Sequence, residues 1–191
     1  TSTGKTTLAN ALLAEIAATG DRVLVLEDTI ELQCAARDHV PLRTRAGVVS
    51  MQELVRATMR LRPDRVIVGE VRGGEALDLV KVWGTGHPGG IATIHSGSAL
   101  GALLRLEQLI LEVAVNPPRA LIAEAVNVVI HIAGRGRKRR VESIARVVGF
   151  DGVGYRLADA LETPFPELMP VPLAADAAAP SPSPDQSGEL P

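Results

Sequence analysis

Three short apolar runs alternate with segments of helical periodicity, and this alternation limits the folds open to the chain of 191 residues. The runs cover residues 22–27 (RVLVLE), 65–69 (RVIVG) and 90–95 (GIATIH). A strand that is apolar at nearly every position is buried on both faces, as in a parallel sheet covered by helices. The pattern therefore predicts an α/β domain with a mainly parallel central sheet, to which a short strand over 40–43 is added.

Apolar residues at helical spacing fill the segments between these strands. Ser50 and Glu53 form a capping-box signature at the start of one helix, and Pro63 stops it. We predict four longer helices and a short one that two consecutive prolines open. Their ranges are 5–19, 51–61, 75–83, 99–113 and 118–125.

The last part of the chain carries a different pattern. Apolar segments over 126–132, 141–148 and 155–157 are separated by glycine-containing turns, so we predict an antiparallel edge on the sheet. Pro, Ala, Ser and Asp dominate residues 163–191, and such a segment buries too little apolar surface to offset its ordering entropy. We expect one folded domain over residues 1–162 and a disordered tail after it.

The composition of the chain limits the cellular compartment and the binding partners that we expect for it. A net charge of -2 gives the whole chain no field that would attract nucleic acid or anionic lipid. The single cysteine, Cys34, excludes an intramolecular disulfide and a cysteine-rich zinc site, and it fits a reducing compartment. No apolar run approaches the roughly 20 residues that span a bilayer. We therefore expect a cytosolic chain that does not cross a membrane by itself.

The first seven residues, TSTGKTT, match the end of the phosphate-binding loop pattern G-x-x-x-x-G-K-[ST]. Glycines let backbone amides close on phosphate oxygens, the lysine neutralises the β and γ phosphates, and the threonine hydroxyl holds magnesium. The segment opens a predicted helix that a buried strand follows, which is the context of such a loop. The opening glycine of the pattern is not in the chain, so we expect that the chain begins inside the loop. We assign ATP binding to Thr1, Ser2, Thr3, Gly4, Lys5, Thr6 and Thr7, and Mg²⁺ binding to Thr6.

Polar side chains follow each of the three predicted parallel strands. They are Glu27 and Asp28 after the first run, Glu70 after the second, and His95 at the end of the third. Ligands bind at the carboxyl ends of parallel strands, so we expect these side chains to converge near the phosphate loop. A carboxylate there orients the attacking water or holds a metal-bound water, and Glu70 is our choice for the first role. The alternatives are solvated strand ends and, for His95, a structural hydrogen bond.

Four ordered boxes resemble one known family, the ATPases of type II and type IV secretion systems and of conjugative transfer. After the phosphate loop come an acidic box (EDTIEL), a variant Walker B (VIVGEVRGGEA) and a histidine box (GHPGGIATIH). The resemblance extends to about Leu161, and within the family it is strongest to the conjugative-transfer members. The boxes occupy residues 27–32, 66–76 and 86–95.

The resemblance implies a RecA-like P-loop NTPase domain that hydrolyses ATP with Mg²⁺. It makes Glu27 and Glu70 the catalytic carboxylates, with Glu70 also holding Mg²⁺ through water, and His95 the sensor of the nucleotide state. It implies a homo-oligomer, a hexameric ring, that works with channel proteins of the inner membrane from the cytoplasmic side, and peripheral membrane association. Direct sequence-specific binding of nucleic acid is not expected. Family members carry an amino-terminal domain that supplies arginines, so we expect the chain to be inactive alone.

Three alternatives stay open. A type II secretion or pilus ATPase often has proline after the Glu-Asp pair and four zinc-binding cysteines, whereas Thr29 follows that pair here and Cys34 stands alone. A recombinase or helicase requires a basic groove or stacking aromatics, and the chain has few aromatics. The third alternative is a non-catalytic remnant of a partial gene.

Several cations have no fixed assignment from sequence. Arg60, Arg62 and Arg72 are of the type that contacts phosphates of a neighbouring subunit, although a surface arginine is more often solvated. The basic run Arg135, Arg137, Lys138, Arg139 and Arg140 matches phospholipid head groups or nucleic acid in charge. Because the run lies at a predicted turn and lacks interleaved aromatics, we interpret it as a solvated turn.

Overall fold

The computed structural model describes residues 4–162, so Thr1, Ser2, Thr3 and the predicted tail over 163–191 lie outside the described residues. Helices and strands alternate over most of the described chain, and a strand-rich segment follows. The helices are α1 (Lys5–Ile16), α2 (Met51–Thr58), α3 (Glu75–Gly84), α4 (Ala99–Ile110) and α5 (Arg119–Ala125). The strands are β1 (Val23–Glu27), β2 (His39–Arg43), β3 (Arg65–Val68), β4 (Ile91–Ala92), β5 (Val128–Ala133), β6 (Arg140–Phe150) and β7 (Tyr155–Asp159). Short 3-10 turns cover Met59–Leu61 and Gly136–Lys138.

The central sheet has the order β2-β1-β3-β4, and all three strand pairs are parallel. Strand β1 is buried at every position because both faces of the sheet are covered. Its alternate side chains point to opposite faces, so Leu24 and Leu26 join the core with α2, α3 and α4, whereas Val23 and Val25 pack with α1. This arrangement confirms the predicted α/β fold with a parallel sheet, including the short second strand.

Three helices end before the predicted residue, among them α2, which ends at Thr58 and is followed by the 3-10 turn over Met59–Leu61. The capping box of α2 forms as predicted between Ser50 and Glu53. Helix α1 ends at Ile16 instead of residue 19, since the Thr19 hydroxyl donates to the Ile16 carbonyl. Helix α4 ends at Ile110 instead of 113, where the Glu112 and Val113 amides donate to carbonyls three residues back and so tighten the turn.

The third parallel strand is shorter than the predicted range 90–95. Strand β4 comprises Ile91 and Ala92 alone. Beyond it, the Thr93 hydroxyl donates to the Gly69 carbonyl at 2.6 Å, and the Thr93 carbonyl accepts from the Val71 amide at 2.9 Å. The side chain of Thr93 thus enters the pairing between the two strand ends, and the regular ladder stops.

The antiparallel strands form a sheet of their own, with the order β5-β6-β7. The prediction that they continue the central sheet as its edge is therefore wrong. A groove of about 610 Å³ lies between β4 and β5, so no ladder joins the two sheets. Buried Val147 of β6 belongs to the same core as α4 and α5, which attaches the second sheet through helices.

In the described part of the chain, each helix is too short or too polar to cross a bilayer.

Candidate functional site

The start of α1 has the geometry of an anion site. Gly4 adopts φ +93°, in the left-handed region that favours glycine. As a glycine it has no side chain that could cap the first amides of the helix. The first amides of a helix have no carbonyl partner within it, and the helix dipole adds positive potential there. The amino end of α1 is therefore open to a phosphate, as the sequence pattern predicts for Gly4, Lys5 and Thr6.

A pocket of about 380 Å³ opens at this helix start. The ends of β1 and β3 and the segment after β4 bring Glu27, Glu70 and His95 to it, together with Lys5. The strand-end side chains thus meet at one edge of the sheet, as their positions in the sequence predict. Their chemical roles remain predictions.

Glu70 and His95 connect the end of β3 to the phosphate loop. Lys5 Nζ lies 3.3 Å from His95 Nδ1, and His95 Nε2 lies 2.7 Å from Glu70 Oε1. Glu70 Oε1 is buried, and apart from this ion-pair contact it has no hydrogen-bond donor among residues 4–162. Its partner is therefore the His95 ring, which also contacts Lys5.

The other oxygen of Glu70 is occupied by Arg72. The Arg72 Nε donates to Glu70 Oε2 at 2.7 Å, and Nη2 of the same guanidinium also donates to it. Asp28 Oδ2 lies 3.8 Å from Arg72 Nη1. The hydrogen bonds and the charge of Glu70 raise the pKa of Arg72, so the guanidinium stays charged.

Glu27 occupies the pocket wall in a different way. Its side chain is buried, and Oε1 accepts from the amides of Glu31 at 3.0 Å and Leu32 at 2.8 Å. A methyl group built on Gly69 would lie 3.2 Å from Glu27 Cγ, so the glycine before Glu70 leaves room for this carboxylate. Glu27 therefore shapes the loop that follows β1.

That loop brings forward a residue that sequence reasoning missed. The Thr6 hydroxyl donates to Glu31 Oε2 at 3.0 Å, and the Asn10 amide group donates to the Glu31 carbonyl at 3.2 Å. Glu31 belongs to the acidic box, but the sequence alone does not place it in the pocket, because its neighbours depend on the bend that Glu27 imposes. The one feature of the sequence that indicates a role is its position within the box, four residues after Glu27.

Oxygen donors around Thr6 fit a hard divalent cation. Mg²⁺ prefers oxygen ligands, keeps several waters, and is bound by one or two protein groups together with substrate phosphates. Thr6 Oγ1 and the Glu31 carboxylate supply such groups beside the helix start. Among residues 4–162, no group of three or more His, Cys, Asp or Glu side chains is placed to hold a metal ion.

The unassigned arginines separate into two groups. Arg60 and Arg62 precede β3 and do not line the pocket of their own chain, whereas Arg72 does. The basic run forms the turn between β5 and β6, as predicted, and Arg139 of this turn lines the pocket. Every residue of the run is exposed, as predicted for a solvated turn, and Arg139 in addition borders the pocket.

The larger groove between β4 and β5 differs from this pocket in chemistry. It is lined largely by apolar side chains, such as Leu8, Leu12, Val129 and Ile130, and it shares Lys5 and His95 with the smaller pocket. The smaller pocket holds the carboxylates and the open helix start, so we assign the site there.

The chain belongs to the family described as type II/IV secretion system protein, which matches residues 1–143. This membership favours the secretion class over the recombinase or helicase alternative. The match includes the phosphate-loop residues and all three boxes of the sequence.

Relatives within this family come from conjugation and type IV secretion. The conjugal transfer protein TrbB of Rhizobium radiobacter is 52% identical over 158 residues, which are 82% of this chain and 49% of the relative. The type IV secretion system protein PtlH of Bordetella pertussis is 38% identical over 160 residues, 75% of this chain and 47% of the relative. The chain thus spans about half the length of the curated relatives it matches.

A solved structure supports the same grouping. The VirB11 ATPase from the Brucella suis type IV secretion system, crystallised with sulphate, matches at a TM-score of 0.64 and 31% identity. The match covers 83% of this chain and 45% of that one. The pilus retraction motor PilT shares the fold at a TM-score of 0.52 and 20% identity.

Proposed function

We propose that the chain is the ATP-hydrolysing part of a conjugative-transfer or type IV secretion motor, with a RecA-like P-loop domain over residues 1–162. One observation carries this proposal: across the pocket, Lys5 at the helix start contacts His95, and His95 in turn contacts Glu70. The group links the phosphate loop to a buried carboxylate oxygen, Glu70 Oε1. Such an arrangement suits transfer of a phosphoryl group to water.

Each residue then has a defined task. The amides at the start of α1, with the segment from Thr1 to Thr7, hold the phosphates, and Lys5 neutralises the β and γ groups. Glu70 orients the attacking water through Oε1, the oxygen that contacts His95 when the nucleotide is absent. His95 lies between Lys5 and Glu70, and so it reports whether the γ-phosphate has drawn Lys5 away. Glu27 supports the loop that carries Glu31.

Mg²⁺ would be held by Thr6, with Glu31 and Glu70 acting through bound water. A cation bound there would neutralise negative charge on the phosphates. Thr6 Oγ1 would be its direct protein ligand, and the Glu31 carboxylate, which accepts from Thr6 Oγ1 at 3.0 Å, would help to hold it through water.

The whole protein is proposed to act as a ring of identical subunits, with six as the expected number. The ring would lie on the cytoplasmic face of the inner membrane and engage channel proteins there. The relatives named for conjugal transfer and type IV secretion support the proposed role in such a transfer system. Arginines from a neighbouring subunit or from a further domain would complete the charge around the γ-phosphate.

The test compares two lysine variants in a form of the protein that carries the complete phosphate loop. Lys5→Ala removes the pocket cation, and Lys81→Ala removes an exposed lysine of α3 outside the pocket. We expect release of phosphate from ATP to fall by at least about 100-fold in the first variant, since phosphate charge loses its main partner. The second variant should keep its rate. Full hydrolysis by Lys5→Ala would refute the proposal.

A further inference from the structure

Arg139 is held over the phosphate loop by the turn between β5 and β6. A methyl group built on Gly4 would lie 3.4 Å from Arg139 Cδ and 3.7 Å from Nη1. Arg139 also lines the pocket that contains Lys5 and Glu70. A residue from the second sheet thus reaches the start of α1, about 135 positions away along the chain.

The turn that presents Arg139 has a defined geometry. Gly134 adopts φ +83°, and a methyl group built there would lie 2.1 Å from the Lys138 carbonyl oxygen. The Lys138 amide donates to the Arg135 carbonyl at 3.1 Å, which closes the turn. Only glycine fits at the first of these positions, so the path of the chain into Arg139 is restricted.

The guanidinium of Arg139 is oriented but not neutralised. Its Nε donates to the Gly136 carbonyl at 3.1 Å, and this contact leaves both Nη groups open. In the described part of the chain no carboxylate pairs with it, whereas Arg72 pairs with Glu70 and Arg140 with Glu142. A charged fork without a carboxylate, placed at an anion site, has the geometry that binds phosphate through two hydrogen bonds.

We infer that Arg139 is a phosphate-binding residue that the β5–β6 turn supplies within the same subunit. This inference rests on the proposed function, because it takes the phosphates to be those of ATP. Arg139 lies beside Gly4, which belongs to the phosphate loop, whereas Glu70 lies across the pocket with His95. Arg139 therefore contacts the phosphates that ATP and ADP share, and it contributes to binding of both nucleotides.

The same turn offers a matched control. Arg137 carries the same charge two residues earlier and does not line the pocket. Arg139→Ala, Arg139→Lys and Arg137→Ala should be compared by titrating a fluorescent ADP and a fluorescent ATP analogue, in a form that carries the whole phosphate loop. Melting temperatures of the variants show whether each one folds.

We expect Arg139→Ala to weaken binding of both nucleotides about tenfold, as loss of a charge-assisted hydrogen bond predicts. Arg139→Lys should retain part of the affinity, because it keeps the charge but loses the fork. Arg137→Ala should bind like the unmodified protein. Equal affinities for the two alanine variants, whether both unchanged or both reduced, would overturn the inference.

Lys5→Ala serves as the reference that separates this inference from the proposed function. If Lys5→Ala abolishes nucleotide binding and Arg139→Ala has no effect, the site stands and the role of Arg139 falls. If Lys5→Ala binds nucleotide normally, the phosphate site itself is wrong, and the role of Arg139 falls with it.

Discussion

Glu27 and Glu70 occupy equivalent places at the ends of neighbouring strands, yet their surroundings differ. Glu27 is buried, and one of its oxygens accepts from two backbone amides of the following loop. Glu70 instead contacts side chains, Arg72 through one oxygen and His95 through the other. Two acids that look alike in sequence thus differ in their partners, which are backbone amides for Glu27 and side chains for Glu70.

The difference shows how a carboxylate is made available for chemistry. Backbone amides have fixed positions once the loop is folded, so Glu27 cannot change partners without distorting that loop. The partners of Glu70 are long side chains that a nucleotide can move. We therefore expect substitution of Glu27 to change mainly the stability of the fold and substitution of Glu70 to change mainly the rate of hydrolysis.

The largest expected effect is on hydrolysis by Glu70→Gln. The amide keeps the size of the side chain but cannot accept a proton from water, so turnover should fall by about 100-fold or more. Nucleotide affinity and melting temperature should stay close to those of the unmodified protein. A Glu70→Gln variant that hydrolyses ATP at the normal rate would remove the distinction between the two acids.

Glu27→Ala should act on stability instead. Its loss leaves the buried Leu32 amide and the Glu31 amide without their acceptor, which should lower the free energy of unfolding by about 2 kcal/mol. Glu27→Gln is the matched control, because its amide oxygen still accepts, and it should recover most of that loss. Denaturant titration measures both. Equal stability of the alanine variant would contradict the structural role.

Glu31→Gln tests whether a third acid depends on the loop that Glu27 shapes. Because Glu31 is bonded to the Thr6 hydroxyl, its loss should raise the Mg²⁺ concentration needed for half-maximal hydrolysis by about tenfold. Glu15→Gln, an exposed acid on α1 outside the pocket, is the control. An unchanged Mg²⁺ requirement in Glu31→Gln would exclude this part of the account.

The smallest effect concerns an acid that lies outside the pocket. Backbone and side-chain hydrogen bonds from Ser50 lower the pKa of Glu53 in the capping box of α2. Its contribution to stability is therefore complete above the pKa of the unfolded chain, about 4.3, and is lost as pH falls through the lower folded value. Denaturant titration at several acidic pH values should show that the free energy of unfolding falls slightly less steeply with decreasing pH in Glu53→Gln than in the unmodified protein. An unaltered pH dependence would mean that the cap contributes nothing measurable.

The parallel sheet was predictable because burial on both faces leaves a plain signature. Strands β1 and β3 are apolar runs, and the capping box of α2 is visible as Ser50 and Glu53. The sequence did not reveal that the antiparallel strands form a separate sheet, because sheet membership depends on which strands lie side by side. The early end of β4 depends on one hydroxyl, that of Thr93.

The site likewise contains residues that the sequence predicts and residues that it does not. Strand ends placed Glu27, Glu70 and His95 at one edge, since the carboxyl ends of parallel strands meet there. Glu31 and Arg139 were missed because each reaches the pocket through a turn, one bent around Glu27 and the other closed at Gly134. Local periodicity carries no information about where such turns point.

The central claim is that ATP binds at the start of α1 and not elsewhere on the domain. Hydrogen exchange of backbone amides, measured with and without ATP and Mg²⁺, locates the nucleotide directly. We expect slower exchange in residues 4–8 and 27–32, and no such protection in Lys5→Ala. Protection confined to the groove between β4 and β5, with residues 4–8 unchanged, would contradict it.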